Sequence, residues 1–211
     1  MSGKVSVLLP NLNYREFLDD RMSSILNQTY ENWELIVVDS YSNDGAWELF
    51  QEYARRDQRI KASQAPKGLY QSWNRCLEKA TGDYVYIATS DDTMRIDALE
   101  LMTQALYERP DCGICDSRLK IIDKMGSDVP YKEKELSISE YLQESNLLQV
   151  RHVRKWPHDF MLYFAGATVY TSMAQVLIRK SIVDQVGAFA TDWGSVADYH
   201  WGMRAAGVTN T

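Results

Sequence analysis

Short apolar runs alternate with amphipathic segments through the first half of the chain. Continuous apolar or β-branched runs at 5–9, 34–39 and 84–88 predict buried strands, and 59–63 predicts a shorter one. Apolar residues recur at helical spacing between these runs, near 18–26, 44–54, 73–80 and 96–108. Strand alternating with helix in this way predicts an α/β domain with a mostly parallel central sheet and helices on both faces.

The second half is less regular. A strand is expected at 112–117, a helix at 137–148, an irregular aromatic segment at 156–164 and another strand at 173–179. Helices are expected at 181–186 and 198–206. In the first half of the chain, Gly82 is predicted to end the helix expected at 73–80. The chain has no internal repeat and no linker-like tract, so we predict one domain over residues 1–211.

Composition narrows the class of protein. Hydrophobic residues make up 45% and charged residues 25% of the chain, as in ordinary soluble domains. A net charge of −6 argues against non-specific nucleic-acid binding, which needs a basic surface. No apolar run approaches the roughly 20 residues that span a bilayer. Three cysteines, an odd number, favour a reducing compartment, and we expect a cytoplasmic protein.

Two smaller signals each have two interpretations. The basic cluster of Arg151, His152, Arg154 and Lys155 is suited to a charged acceptor or a membrane surface, so peripheral membrane association is one expectation and a solvated loop is the other. Cys112-Gly-Ile-Cys115 has the spacing of a zinc or redox motif. No second pair of ligands accompanies it, which favours a packed strand.

Two adjacent acids follow the strand predicted at 84–88. Ser90, Asp91 and Asp92 stand where the carboxyl end of that strand would meet a ligand crevice. Neighbouring carboxylates repel each other unless a positive charge lies between them. Mg²⁺ prefers a few carboxylates plus phosphate oxygens, so this edge predicts a divalent cation carrying a phosphorylated ligand. The alternative is a helix start, since all three residues are good N-caps.

The order of these motifs resembles that of the family 2 glycosyltransferases, inverting enzymes with a GT-A nucleotide-sugar fold. The resemblance covers nearly the whole chain, with 118–165 the least similar part. It rests on six blocks: Val5-Ser-Val-Leu-Leu-Pro-Asn-Leu-Asn13, Ser24-Ile-Leu-Asn-Gln-Thr-Tyr30, Trp33 to Gly45, Gly68 to Asn74, Ala80 to Asp92, and Val176 to Arg204.

The resemblance implies roles for several residues in donor binding. Pro10 and Leu12 would lie against the nucleobase. Asp39 would accept a hydrogen bond from the base, typically uracil, whereas its ordinary alternative is a loop cap. Lys67 would place a cation near the base or the diphosphate, and a solvated lysine is the alternative.

The resemblance also implies a metal ligand and a base. Asp91 would bind Mn²⁺ or Mg²⁺. Many members have a further acid at the position of Thr89 or Ser90. Its absence here would weaken metal binding or leave the ribose contact to a hydroxyl, that of Ser90. Asp198 would be the general base, or alternatively only a helix N-cap, and it follows Ala197 where most members have Glu.

Together these roles imply an inverting, metal-dependent transferase. It would move a sugar from a nucleoside-diphosphate sugar, with UDP favoured, to the hydroxyl of a saccharide or lipid-linked acceptor in polysaccharide or glycoconjugate synthesis. His158 is a candidate acceptor contact. The alternative is a catalytically degenerate sugar-nucleotide-binding module of the same fold. Because the chain ends soon after the helix of Asp198, we expect a domain truncated at its C-terminus.

Overall fold

A six-stranded sheet forms the centre of the molecule. The computed structural model describes residues 3–123, 126–129, 150–167, 169–170 and 172–211. The strands are β1 (Val5–Asn11), β2 (Trp33–Asp39), β3 (Ile60–Gln64), β4 (Tyr84–Ile87), β5 (Ile114–Asp116) and β6 (Val176–Arg179). The α-helices of the described residues are α1 (Leu18–Leu26), α2 (Ala46–Arg56), α3 (Leu69–Lys79), α4 (Ala98–Glu108), α5 (His158–Phe164), α6 (Lys180–Val186) and α7 (Ala197–Ala206).

The strand order is β3-β2-β1-β4-β6-β5. Strands β1 to β4 are mutually parallel, and β6 runs antiparallel to both of its neighbours. The prediction of a mostly parallel α/β sheet is therefore confirmed. Parallel strands bring their carboxyl ends to one edge, which is where the candidate site lies.

Both faces of the sheet are covered, as a parallel sheet requires. Every residue of β2 is buried. On β1, Val7 and Leu9 pack into a cluster with α1, α2 and α4, while Leu8 packs into the opposite cluster with α3, α6 and α7. This alternation follows from the two-residue period of strand side chains.

Two predicted elements differ from the structure, and a third cannot be compared with it. The segment at 156–164 is not irregular throughout, because residues His158–Phe164 form α5. The strand expected from 173 begins only at Val176, after a 3-10 turn over Met173–Gln175. The helix predicted at 137–148 lies outside the described residues.

Gly82 does not end a helix, since α3 already ends at Lys79. A Cβ on Gly82 would come within 2.6 Å of the Lys4 carbonyl oxygen and 2.8 Å of the Ser6 amide nitrogen. The glycine therefore permits a close approach to the backbone of β1.

In the described part of the chain, no helix is long and apolar enough to cross a membrane.

Candidate functional site

A row of polar side chains closes three neighbouring strands. Asn11 ends β1, Asp39 ends β2 and Gln64 ends β3, and the strand register pairs Asn11 with Asp39 and Asp39 with Gln64. Asp39 is fully buried at the centre of this row. Burying a carboxylate is costly unless hydrogen bonds satisfy its oxygens, and the two neighbours of Asp39 supply donors.

Four donors hold the Asp39 carboxylate. Oδ1 accepts from Asn11 Nδ2 at 2.9 Å and from Ser42 Oγ at 2.5 Å. Oδ2 accepts from the Ser42 amide at 3.0 Å and from Gln64 Nε2 at 3.1 Å. The two contacts with Ser42 show that Asp39 caps the loop after β2, as its alternative interpretation expected. The four contacts together hold the carboxylate in one orientation at the sheet edge.

The other residues expected near the donor lie around this row. The Ser90 hydroxyl donates to the Pro10 carbonyl at 2.9 Å, which joins the loop after β4 to the end of β1. Pro10 and Leu12 are half-buried. Lys67 is exposed in the loop between β3 and α3.

Asp91 and Asp92 are exposed at the start of the loop after β4. The Thr89 hydroxyl donates to Asp92 Oδ2 at 2.5 Å. Helix α4 begins only at Ala98, with Asp97 as its N-cap. The helix-start interpretation of Ser90, Asp91 and Asp92 is therefore wrong, and the two acids remain available to a ligand.

A buried cation lies behind this acidic loop. Arg21 on α1 has no exposed surface. Burial lowers the pKa of its guanidinium, while Tyr86, Asp92 and Asp91 act to raise it. This positive charge offsets part of the repulsion between the two acids.

Asp198 lies in the first turn of α7. The helix begins at Ala197 and its N-cap is Val196, so the N-cap interpretation of Asp198 is wrong. Its Oδ1 accepts the Tyr199 amide at 2.8 Å. Burial, and then the charge of Asp198, raise the pKa of the Tyr70 hydroxyl.

Helix α3 connects the two halves of this arrangement. Ser72 Oγ lies 3.4 Å from the Oγ of Ser40, the residue after Asp39. Two residues earlier on the same helix, Tyr70 stacks on Phe189, which stacks on Trp201 of α7. One turn of α3 therefore packs against the residue after Asp39 and, through Phe189, against the helix that carries Asp198.

The sequence also matches a known protein family. Residues 6–183 match the family model described as glycosyl transferase family 2. That range exceeds half of the chain. The chain belongs to glycosyltransferase family 2.

Curated relatives of this family 2 chain include two proteins of Bacillus subtilis (strain 168). The chain is 36% identical over 107 residues to the putative teichuronic acid biosynthesis glycosyltransferase TuaG, covering 50% of this chain and 42% of TuaG. It is 35% identical over 126 residues to the putative glycosyltransferase EpsE, covering 58% of this chain and 45% of EpsE. These alignments cover less than half of either relative's length.

Solved structures with the GT-A fold superpose on this chain. S. aureus TarS 1-349 in complex with UDP superposes with a TM-score of 0.70 at 21% identity, covering 96% of this chain and 55% of that one. The mannosyltransferase PcManGT from Pyrobaculum calidifontis, in complex with GDP-Man and Mn²⁺, gives 0.66 at 21% identity, covering 95% and 51%.

The possible metal ligands of this family 2 domain suit a cation that takes most of its ligands from a bound molecule and water rather than from the protein. The described residues contain no group of three His, Cys, Asp or Glu side chains that could hold a metal ion. Asp91 and Asp92 offer exposed carboxylates in the loop after β4, and Asp92 already accepts the Thr89 hydroxyl. Mg²⁺ and Mn²⁺ accept one or two carboxylates when phosphate oxygens and water complete the shell. The residues therefore fit a metal bound together with a diphosphate.

His158 belongs to a different cluster. Its Nδ1 lies 2.9 Å from Asp159 Oδ1, and Asp159 forms an ion pair with buried Arg154 at 2.8 Å. Arg154 also pairs with Asp116 at 3.0 Å. This network anchors the start of α5 to the end of β5, and it removes Arg154 from the basic cluster expected at the surface.

Sequence reasoning missed five residues of the site: Asn11, Arg21, Ser42, Gln64 and Tyr70. A polar residue immediately after a buried strand was the available signal for Asn11. Arg21 was visible as a lone cation on the apolar face of a predicted helix. Gln64 and Tyr70 carried no local signal, because strand register and helix packing bring them to their partners.

Proposed function

We propose that this chain transfers a sugar, with inversion, from a nucleoside-diphosphate sugar to an acceptor hydroxyl. The observation that carries the proposal is the placement of α3. Its Ser72 hydroxyl lies 3.4 Å from that of Ser40, the residue after Asp39, and its Tyr70 stacks on Phe189, which stacks on Trp201 of the helix that carries Asp198. A donor held at the row would lie next to a carboxylate able to act on its acceptor.

The donor would bind at the carboxyl ends of β1, β2 and β4. Asp39 would accept a hydrogen bond from the nucleobase, and Pro10 and Leu12 would lie against it. Ser90 would contact the ribose and Lys67 the diphosphate. TarS in complex with UDP and with UDP-GlcNAc supports a UDP-sugar, and PcManGT with GDP-Man is the competing example.

Asp198 would take the proton from the attacking hydroxyl. Removal of that proton by a positioned carboxylate typically contributes about 10²–10⁴ in rate. Direct attack needs no covalent intermediate, so the configuration at the anomeric carbon inverts. When bound at Asp91, Mn²⁺ or Mg²⁺ would offset the charge of the departing nucleoside diphosphate as a Lewis acid.

The acceptor is proposed to be a saccharide or lipid-linked saccharide in the cytoplasm. The names of TuaG and EpsE connect related sequences to glycosyl transfer, and TuaG to teichuronic acid biosynthesis. Synthesis of a polysaccharide or glycoconjugate is the corresponding proposal for this chain.

Calorimetry and a turnover assay on the same variants test the assignment. Thermal shift with a panel of UDP- and GDP-sugars first identifies the donor, since a ligand that binds the folded form stabilises it. We expect Asp198→Asn to retain UDP affinity in Mn²⁺ and to lose about 10²–10⁴ in kcat. Asp91→Ala should weaken the Mn²⁺-dependent part of UDP binding, whereas Asp192→Asn, an exposed acid before α7, should change neither.

The product reports the stereochemistry. An α-linked donor should yield a β-linked product by NMR. Wild-type turnover in both Asp198→Asn and Asp91→Ala would show the assignment to be wrong. Tight UDP binding by the wild type without turnover on any acceptor would favour the degenerate binding module, to which Thr89 in place of an acid lends weight.

A further inference from the structure

Tyr41 lies in the loop between β2 and α2 and has a left-handed backbone conformation. Its φ is +58°. A bulky L residue rarely adopts this conformation, because its Cβ comes too close to the following carbonyl oxygen. Among the described residues other than glycine, only Asn13 shares a positive φ, and asparagine tolerates the left-handed region. The tyrosine therefore stands where asparagine or glycine would fit with less strain.

Hydrogen bonds on both sides of Tyr41 hold this conformation. The Ser40 amide donates to the Asn11 carbonyl at 2.8 Å. The amide and the hydroxyl of Ser42 both donate to the Asp39 carboxylate, at 3.0 and 2.5 Å. The backbone strain at Tyr41 is thus imposed by contacts that also fix the orientation of Asp39.

No packing inside the described part of the protein compensates for this strain. The Tyr41 side chain is 61% exposed. Within the described residues, its ring stacks on no other aromatic ring and its hydroxyl has no hydrogen-bond partner. Strained residues persist where the surrounding structure holds them, and they cluster at ligand sites. A large exposed ring at a strained position therefore indicates contact with a ligand.

The ring of Tyr41 lies at the edge of the sheet where the donor is proposed to bind. It follows by two residues the carboxylate of Asp39, which is fixed at the carboxyl end of β2. The two flanking side chains turn inward. Ser40 is buried, with its Oγ 3.4 Å from Ser72 Oγ, and Ser42 Oγ binds Asp39. Tyr41 is consequently the part of this segment that a ligand beside Asp39 can reach.

We propose that Tyr41 binds the flat face of the donor's nucleobase. A carboxylate such as Asp39 contacts only the edge of a base, through its N–H groups. The faces of a base stack on aromatic rings, and such stacking is tolerant of base identity. Asp39 would therefore select among bases, whereas Tyr41 would add affinity for any of them. The inference rests on the proposed function, because it concerns the same donor site.

Tyr41→Asn is the test, because asparagine removes the ring and adopts the left-handed conformation more readily. We expect the melting temperature to rise by about 2–4 °C, since relief of backbone strain stabilises the fold. The affinity for UDP in Mn²⁺, measured by calorimetry, should fall about five- to hundredfold, the range for removing an aromatic ring from a stacked base. Stability and binding should thus change in opposite directions, which a damaged fold would not produce.

Two further variants isolate the contribution of the ring. Tyr41→Phe keeps the ring and the strained backbone, so the UDP affinity should stay within about twofold of wild type and the melting temperature should not change. Tyr107→Asn is the matched control, because Tyr107 is 68% exposed on α4. It should leave UDP affinity unchanged and should not raise the melting temperature, since a helical residue carries no left-handed strain.

The outcomes separate this role from the proposed function. A folded Tyr41→Asn protein with wild-type UDP affinity would overturn the role of Tyr41 alone, and so would an equal loss of affinity in Tyr41→Phe. Weaker binding together with a lower melting temperature would show that the ring supports the fold, which would also overturn the direct contact. Failure of the wild type to bind either UDP or GDP in Mn²⁺ would instead overturn the proposed function.

Discussion

Asn11 Nδ2 lies 2.9 Å from Asp39 Oδ1, across the carboxyl ends of β1 and β2. The same amide nitrogen donates to Ser42 Oγ at 3.0 Å. Asn11 thus holds both the buried carboxylate and the loop that caps it. The orientation of Asp39 depends on a residue of the neighbouring strand.

Removing this amide should weaken nucleotide binding. In Asn11→Ala, Asp39 remains buried with one donor fewer, which should cost about 1–3 kcal/mol of unfolding free energy. We expect UDP affinity measured by calorimetry to fall about tenfold, the equivalent of about 1.4 kcal/mol. Asn43→Ala, at an exposed asparagine of the same loop, is the control. Unchanged UDP affinity in Asn11→Ala would contradict this prediction, because it would show that the hydrogen bond from Asn11 to Asp39 does not affect donor binding.

Replacing Thr89 with an acid should strengthen metal binding and lower the stability of the metal-free protein. Thr89→Asp places a carboxylate where a hydroxyl now donates to Asp92. Without metal, the two like charges should lower the melting temperature in EDTA. With UDP present, Mn²⁺ titrated by calorimetry should bind more tightly. Thr93→Asp, an exposed position of the same loop, should do neither, and a Thr89→Asp protein with unaltered Mn²⁺ affinity would argue against a metal at this loop.

Glu34 makes the stability of the fold depend on pH. It is 2% exposed on β2, forms ion pairs with Lys4 at 3.0 Å and Lys61 at 2.8 Å, and accepts from Ser6 and Thr81. Burial alone would raise the pKa of its carboxyl, but these hydrogen bonds outweigh burial and hold the pKa well below its usual range.

A depressed native pKa stabilises the fold above the unfolded value, about 4.3, and this stabilisation is lost as pH falls through the native value. Glu34→Gln should therefore lower the free energy of unfolding by about 1–3 kcal/mol at pH 7. The difference from wild type, measured by urea unfolding, should shrink as pH falls below about 4. Glu78→Gln on the exposed side of α3 should show no such pH-dependent difference.

Gly82→Ala should destabilise the fold without altering the site. The new Cβ would overlap the backbone of β1 at Lys4 and Ser6, and backbone atoms cannot move aside as a side chain would. We expect a loss of about 1–3 kcal/mol in unfolding free energy. The midpoint of urea unfolding checks this value, and an unchanged midpoint would mean that the strand shifts freely at this point.

The sequence by itself determined the elements and the order in which they follow. Short apolar runs such as 34–39 predicted buried strands, and six blocks in a fixed order indicated the family. It also placed Asp39 and the Ser90–Asp92 segment at strand ends, because the carboxyl end of a strand is a local property of the chain.

The tertiary structure alone decided which side chains meet. Asn11, Asp39 and Gln64 are separated by 25 or more positions and become neighbours only through strand register. Tyr70 of α3 and Trp201 of α7 both stack on Phe189, a contact between elements far apart in sequence. Local patterns encode burial and periodicity, whereas the geometry of a site depends on long-range packing, which no single segment specifies.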